Sequence, residues 1–126
     1  MPVRSLNSSI IKWPDKETVL SAFEQWIQSL AQNRTDIIQI GCFGSYARGD
    51  WGVGSDLDIV IILNQSNLPF EKRNEGWQEE RLPVPTDLII YTQEEWERMK
   101  AENSSFFSRI NRETKWVYPV NTVSRE

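Results

Sequence analysis

Histidine is absent from the 126 residues of this chain, and its absence removes several common chemistries. Without imidazole there can be no Ser-His-Asp or Cys-His catalysis and no zinc site built on histidine. The single cysteine, Cys42, excludes an internal disulfide and every multi-cysteine zinc site. Any chemistry must therefore use carboxylates, a bound metal, hydroxyl groups, or arginine and lysine.

Long apolar runs and a positive net charge are also missing. No run approaches the ~20 residues that a transmembrane helix needs, so no membrane association is expected. The N-terminus lacks the apolar segment of a signal peptide, and we therefore expect a cytoplasmic protein. A formal net charge of -4 gives no general attraction for nucleic acid, so direct nucleic-acid binding is not expected.

Hydrophobic periodicity predicts a single α+β domain. Residues 1–14 show no clear period and are interpreted as an N-terminal arm, which leaves 15–126 as the domain. Over 16–32 apolar residues recur every three or four positions, which indicates an amphipathic helix with Asp15 as its N-cap.

The remaining pattern predicts a small mixed β-sheet flanked by helices. The strands are expected at 36–43, 57–63 and 86–91, with a short edge strand at 116–120. The run at 57–63 is almost continuously apolar, so we place it at the centre of the sheet, covered on both faces. Short helices are expected at 70–81, from Thr92 through Met99, and at 104–112, and the charged stretch 71–80 is interpreted as a solvated face.

Two aspartates, Asp56 and Asp58, stand one residue apart where the central strand opens. Residues two apart on a strand point to the same face, with Cα atoms ~6.5–7 Å apart, so the two carboxylates can converge on a cation. No lysine or arginine lies within six residues of Asp58 to neutralise them. Hard oxygen ligands without histidine or thiolate favour Mg²⁺, or Mn²⁺ as an alternative, over zinc.

Asp87 begins the third strand in the same way that Asp58 begins the second. If these strands are neighbours, Asp87 lies beside Asp56 and Asp58. Three carboxylates suit a two-metal site whose ions, ~3.5–4 Å apart, clamp the attacking and leaving oxygens of an in-line displacement. The simpler alternatives are a turn with two solvated carboxylates and an aspartate that only begins a strand.

A Gly-Ser pair ends the first strand, ten residues before the Asp-x-Asp pair. Gly44 permits a tight turn, and the following backbone N–H groups and the Ser45 hydroxyl can hold phosphate oxygens. Arg48 can contact phosphate, or it can pair with Asp50 or an active-site carboxylate as a structural strut. Trp51 can stack on a base, meet a partner, or fold back onto the core.

This stretch resembles the DNA polymerase beta-like nucleotidyltransferase superfamily. Its pattern is Gly-Ser, ten residues, Asp-x-Asp and a later acidic residue on a nearby strand, which Gly44, Ser45, Asp56, Asp58 and Asp87 match. The resemblance covers roughly residues 36–118. The sequence Ser-Tyr-Ala-Arg-Gly at 45–49 is most similar to the minimal nucleotidyltransferases, the MNT proteins of prokaryotes.

The resemblance implies a polymerase beta-like fold and transfer of a nucleoside monophosphate from an NTP to an acceptor hydroxyl. Asp56 and Asp58 would bind two Mg²⁺ ions, Asp87 would bind one and help deprotonate the acceptor, and Gly44 and Ser45 would hold the triphosphate.

A chain of this length leaves no room for a separate acceptor domain, so we expect the acceptor on a partner or a site completed by a second copy. MNT proteins resemble antitoxins encoded beside a helical HEPN ribonuclease toxin, which they adenylylate with ATP. The leading hypothesis is therefore an MNT antitoxin that modifies a HEPN partner. The alternatives are a stand-alone, aminoglycoside-type enzyme acting on a small molecule, and a binding antitoxin that acts without catalysis.

Overall fold

The computed structural model describes residues 13–119, so most of the expected N-terminal arm lies outside the described residues. Four strands form one sheet in the order β3-β2-β1-β4. The strands are β1 (Ile37–Phe43), β2 (Leu57–Leu63), β3 (Thr86–Thr92) and β4 (Lys115–Tyr118). The α-helices are α1 (Lys16–Asn33), α2 (Ser45–Arg48), α3 (Gln93–Glu102) and α4 (Ser105–Glu113). The predicted mixed sheet flanked by helices is confirmed.

The direction of the strands determines which chain segments meet at each edge of the sheet. β1 pairs antiparallel with β2 and with β4, whereas β2 and β3 run parallel. The first residues of β2 and β3 therefore lie together at one edge, beside the last residue of β1. Gly44 and α2 follow β1 at this same edge.

Helix α1 covers one face of the sheet. Asp15 caps it by accepting a hydrogen bond of 2.8 Å from the Thr18 backbone N–H. Its buried residues share a core with the odd-numbered side chains of β2; they are Val19, Phe23, Trp26 and Ile27 from α1 and Leu57, Ile59, Ile61 and Leu63 from β2. The amphipathic pattern of this helix is thus satisfied by the sheet beneath it.

Helices α3 and α4 cover the opposite face. A capping box begins α3, because Thr92 and Glu95 each accept from the other's backbone N–H. The core on this side contains Val60, Ile62, Trp96, Phe107 and Ile110. Since β2 contributes buried side chains to both cores, its predicted central position is confirmed.

The helix predicted over 70–81 is wrong. The segment instead contains two 3₁₀ turns, Phe70–Lys72 and Glu79–Arg81, because Gly76 (φ 85°) and Gln78 (φ 59°) adopt left-handed backbone angles that end a helix. The solvated-face interpretation also fails at Arg73, which is buried, whereas Trp77 is buried as expected of an apolar anchor of this segment. The Trp77 indole N–H donates to the Arg73 carbonyl, and the Trp77 carbonyl accepts from Trp26, so this segment is part of the core.

Candidate active site

The three aspartates lie at the edge where β2 and β3 begin. Asp58 and Asp87 are register partners on these parallel strands, so their side chains project from the same face of the sheet. Asp56 precedes β2 by one residue, and a backbone hydrogen bond of 2.9 Å from Leu57 N–H to the Pro85 carbonyl continues the pairing towards it. The predicted neighbouring positions of Asp58 and Asp87 therefore follow directly from the strand order.

The environment of Asp58 disfavours its charged form. Burial, followed by the charges of Asp87 and Asp56, raises the pKa of Asp58 to about 6, while Arg48 acts in the opposite direction. Asp56 and Asp87 are exposed, whereas Asp58 is half-buried. A carboxylate in this position gains more from a nearby cation than a solvated carboxylate does, because the cation offsets both its desolvation and its repulsion.

Among residues 13–119, no ion pair neutralises Asp56, Asp58 or Asp87. Within the same range, no group of three acidic or thiol side chains is close enough together to hold a metal ion. The exposed side chains of Asp56 and Asp87 would therefore have to turn towards Asp58 before all three could share a cation. Mutual repulsion among uncompensated carboxylates opposes that convergence.

Gly44 lies directly against the Asp58 carboxylate. Its φ of 75° favours glycine, and a Cβ built on it would collide with Asp58 Oδ2. This close approach brings the turn after β1 next to the first acidic residue of β2. A side chain at position 44 would occupy the space between the turn and the carboxylate.

Helix α2 presents Ser45 and Arg48 on its outer side, since Tyr46 and Ala47 are buried. Gly49 ends this single helical turn with a φ of 92°, and its N–H donates to the Ser45 carbonyl. The first N–H groups of the turn have no partner within it, so they remain able to donate to an anion. The Ser45 hydroxyl lies at the same end of the turn.

The Arg48 guanidinium is held by two carboxylates. Its Nε donates to Asp50 at 3.1 Å and its Nη1 donates to Glu113, at the end of α4, at 3.4 Å. The pairing with Asp50 agrees with the structural alternative raised from the sequence, while a phosphate contact stays a prediction. Glu113 was not identified from the sequence, because 65 positions separate it from Arg48 and no local pattern marks it.

Of two other residues singled out in the sequence, one packs against the core and the other is part of it. Trp51 stacks on the buried ring of Tyr46, with 5.6 Å between ring centroids and 10° between ring planes, so it folds back. Cys42 is buried in β1, and burial raises the pKa of its thiol, which is typical of an unreactive core cysteine.

A separate groove of about 440 Å³ lies at the far end of β3. Its lining includes Phe70, Tyr91, Glu95 and Met99, and it contains none of the predicted site residues.

No helix within residues 13–119 combines the length and the apolar character needed to cross a bilayer.

Comparisons with known proteins agree with the observed fold. A family profile described as "Nucleotidyltransferase domain" matches residues 23–115. A Methanocaldococcus jannaschii protein with the provisional name protein adenylyltransferase is 28% identical over 72 residues, which are 57% of this chain and 71% of that protein.

Two solved structures share the fold. One is a Sulfolobus solfataricus protein provisionally identified as a nucleotidyltransferase (TM-score 0.54, 21% identity, 66% of this chain and 75% of that chain). The other is a chain of a toxin–antitoxin structure with AMP-PNP (TM-score 0.50, 19% identity, 81% of this chain and 77% of that chain).

Proposed function

This chain belongs to the nucleotidyltransferase domain family, and from that premise we propose that it transfers AMP from ATP to a hydroxyl group of a partner protein. The observation that carries the proposal is the pairing of Asp58 with Asp87 at the sheet edge where Asp56 precedes β2 and where Gly44 lies against Asp58. Groups able to donate to phosphate would thereby lie beside groups able to hold a cation, as a metal-dependent phosphoryl-group reaction requires.

The carboxylates of Asp56, Asp58 and Asp87 are chemically suited to two Mg²⁺ ions, with Mn²⁺ as an alternative. The three carboxylates are hard oxygen ligands without an ion-pair partner in residues 13–119, and burial together with the charges of Asp87 and Asp56 raises the pKa of Asp58. Asp56 and Asp58 would hold both ions and Asp87 one of them. Bound there, the ions would neutralise the triphosphate and polarise the acceptor hydroxyl.

The turn after β1 would hold the triphosphate. Gly44 lets the backbone of the turn lie directly against the Asp58 carboxylate, and the N–H groups that begin α2 would donate to phosphate oxygens. The Ser45 hydroxyl and the Arg48 guanidinium would add two further donors. The site would thus bind the nucleotide through the chain segment that already contacts Asp58.

In the transfer step, the acceptor oxygen forms a bond to the α-phosphorus of ATP as the bond to the bridging oxygen of the β-phosphate breaks. Pyrophosphate leaves, and Asp87 takes the proton of the acceptor hydroxyl. Asp87 suits this role because it is exposed at the sheet edge, where an incoming acceptor can reach it.

We further propose that the acceptor is a tyrosine of a HEPN-type toxin encoded nearby, which makes this chain an MNT antitoxin. The names of two similar proteins, one a provisional protein adenylyltransferase and one part of a toxin–antitoxin structure with AMP-PNP, support this choice. They favour a protein acceptor over a small molecule.

The test is to incubate the chain with α-labelled ATP, Mg²⁺ and the protein encoded beside it, and to measure label on each protein. The proposal expects label on the neighbour, dependent on Mg²⁺ and lost with Asp56→Ala. The double variant Glu97→Gln/Glu102→Gln, which neutralises two exposed carboxylates on α3, should transfer normally and serves as the control.

If label is transferred only to a soluble hydroxyl compound, the acceptor is a small molecule and the proposal of a protein acceptor is wrong. If Asp56→Ala transfers no label but still protects cells from the neighbouring protein, the chain acts by binding alone and the proposal of catalysis is wrong.

A further inference from the structure

Glu113 lies beside the candidate site on helix α4, which carries none of the three aspartates. It ends α4, and its carboxylate accepts from Arg48 Nη1 at 3.4 Å. The side chain of Glu113 is 19% exposed and that of Arg48 is 46% exposed, so the acid is the better-buried partner. The pair connects α4 to the turn that follows Gly44.

The two carboxylates around Arg48 leave part of its guanidinium free. Asp50 accepts from Nε and Glu113 accepts from Nη1, and these contacts use two of the five N–H donors of the guanidinium. Within residues 13–119, no hydrogen bond from Nη2 is found. Nη2 can therefore donate to an anion without first breaking either contact.

We propose that Glu113 is a positioning residue that, together with Asp50, orients Arg48 so that its free Nη2 faces the triphosphate. This inference rests on the proposed function, because it assumes that a nucleotide binds at the Gly44–Ser45 turn. An arginine side chain loses considerable rotamer freedom when it is fixed. Contacts already made in the free protein reduce that loss at the moment of binding, which strengthens nucleotide affinity.

The alternative is that Glu113 acts on the nucleotide directly through its charge. A carboxylate close to a triphosphate repels it, so on this alternative the neutral variant Glu113→Gln would bind nucleotide more tightly. Positioning predicts the opposite, because glutamine holds the guanidinium less firmly than glutamate does. The sign of the change in affinity therefore separates the two.

The experiment measures the dissociation constant for AMP-PNP with Mg²⁺ by isothermal titration calorimetry. We expect Glu113→Gln to weaken binding about fivefold, the upper range for an exposed ion pair. In the background of Arg48→Gln, the same change should have no further effect if the role of Glu113 is to position Arg48, whereas a direct effect of the Glu113 charge on Asp58 would persist there.

Glu95→Gln is the matched control, since Glu95 also forms an ion pair with an arginine, Arg73, at 2.6 Å, away from the aspartates. It should lower the melting temperature and leave the dissociation constant unchanged. Glu113→Gln should do the reverse, with a small thermal effect and a clear loss of affinity.

Tighter or unchanged binding by Glu113→Gln would overturn the positioning role. So would an equal loss in the Arg48→Gln background, or an equal loss in Glu95→Gln that follows the melting temperature. If the unaltered chain binds no AMP-PNP, both this inference and the proposed function fail. Binding by the unaltered chain with no effect of Glu113→Gln overturns this inference alone.

Discussion

Asp58 and Asp87 are direct register partners on the parallel strands β2 and β3, although 28 intervening residues separate them in the sequence. This pairing places two carboxylates on one face of the sheet at the same edge. After burial, the charge of Asp87 is the largest cause of the raised pKa of Asp58. The predictions below follow from this pair and from the contacts around it.

In the metal-free protein, the pH dependence of stability should reveal the raised pKa of Asp58. Its pKa is raised from 3.8 to about 6 on folding, so its contribution to stability is complete below its unfolded pKa and is lost as pH rises through about 6. Asp58→Asn removes this dependence. Near neutral pH and above, the variant should be more stable than the unaltered chain by about 1 kcal/mol, a value reduced for solvent screening of a half-exposed group.

Urea unfolding in EDTA, at several pH values on either side of 6, measures this difference. Asp36→Asn is a control of opposite sign, because the hydrogen bonds from Arg34 lower the pKa of Asp36. The contribution of Asp36 is present above its unfolded pKa and lost as pH falls through its lower folded pKa. Equal pH profiles for Asp58→Asn and the unaltered chain would contradict the raised pKa.

Divalent metal should stabilise the chain through the aspartates. At ten times the dissociation constant, Mg²⁺ is expected to raise the free energy of unfolding by about 1.4 kcal/mol. The gain should shrink below the pKa of Asp58, where protons compete with the metal, and it should vanish in Asp56→Asn/Asp58→Asn.

Thermal unfolding with Mg²⁺ or with EDTA tests the metal site. Glu97→Gln/Glu102→Gln changes the net charge equally at exposed positions of α3 and should keep the full response. A response that is the same in both double variants would indicate general ionic stabilisation rather than a site.

Gly44→Ala should impair both folding and nucleotide binding. The backbone at position 44 has a φ of 75°, and the added methyl group would collide with the Asp58 carboxylate. Adopting such a conformation costs an L-residue about 1–3 kcal/mol, and displacement of Asp58 adds to that cost. We expect lower urea stability together with loss of AMP-PNP binding.

Substitutions at two other glycines distinguish the effect of the unfavourable φ angle from the effect of the collision with Asp58. Gly54→Ala has the unfavourable φ of 89° but open space around it, while Gly52→Ala has neither problem. Gly54→Ala should lose stability alone, and Gly52→Ala should stay within about 0.5 kcal/mol of the unaltered chain. Nucleotide binding that survives in Gly44→Ala would remove this turn from the proposed site.

Arg73→Ala should be strongly destabilising although Arg73 lies in a segment rich in charged residues. The buried guanidinium donates to the Leu68 and Ile90 carbonyls and to both oxygens of Glu95. Its removal leaves Glu95 without its partner, and we expect a loss of about 3 kcal/mol in urea unfolding. Lys72→Ala, its exposed neighbour, should change stability by less than about 0.5 kcal/mol.

Local signals in the sequence were sufficient for most of the secondary structure. The central strand is predicted at 57–63 and observed at Leu57–Leu63, because a run of β-branched side chains indicates a strand buried on two faces. The capping box of Thr92 and Glu95 begins α3 as predicted. The segment 70–81 was mispredicted, since Gly76 and Gln78 adopt left-handed φ angles and the buried Arg73 is held by Ile90 and Glu95, which lie far along the chain.

By itself, the sequence determined the chemistry that is available. The absence of histidine and the spacing of Gly44, Ser45, Asp56 and Asp58 are properties of the chain, and they limit the candidate site to carboxylates beside a Gly-Ser turn. Only the tertiary structure decided what stands beside these residues. The parallel register brings Asp87 to Asp58, and α4 brings Glu113 to Arg48, because contacts between distant segments arise from packing on both faces of the sheet rather than from any local pattern.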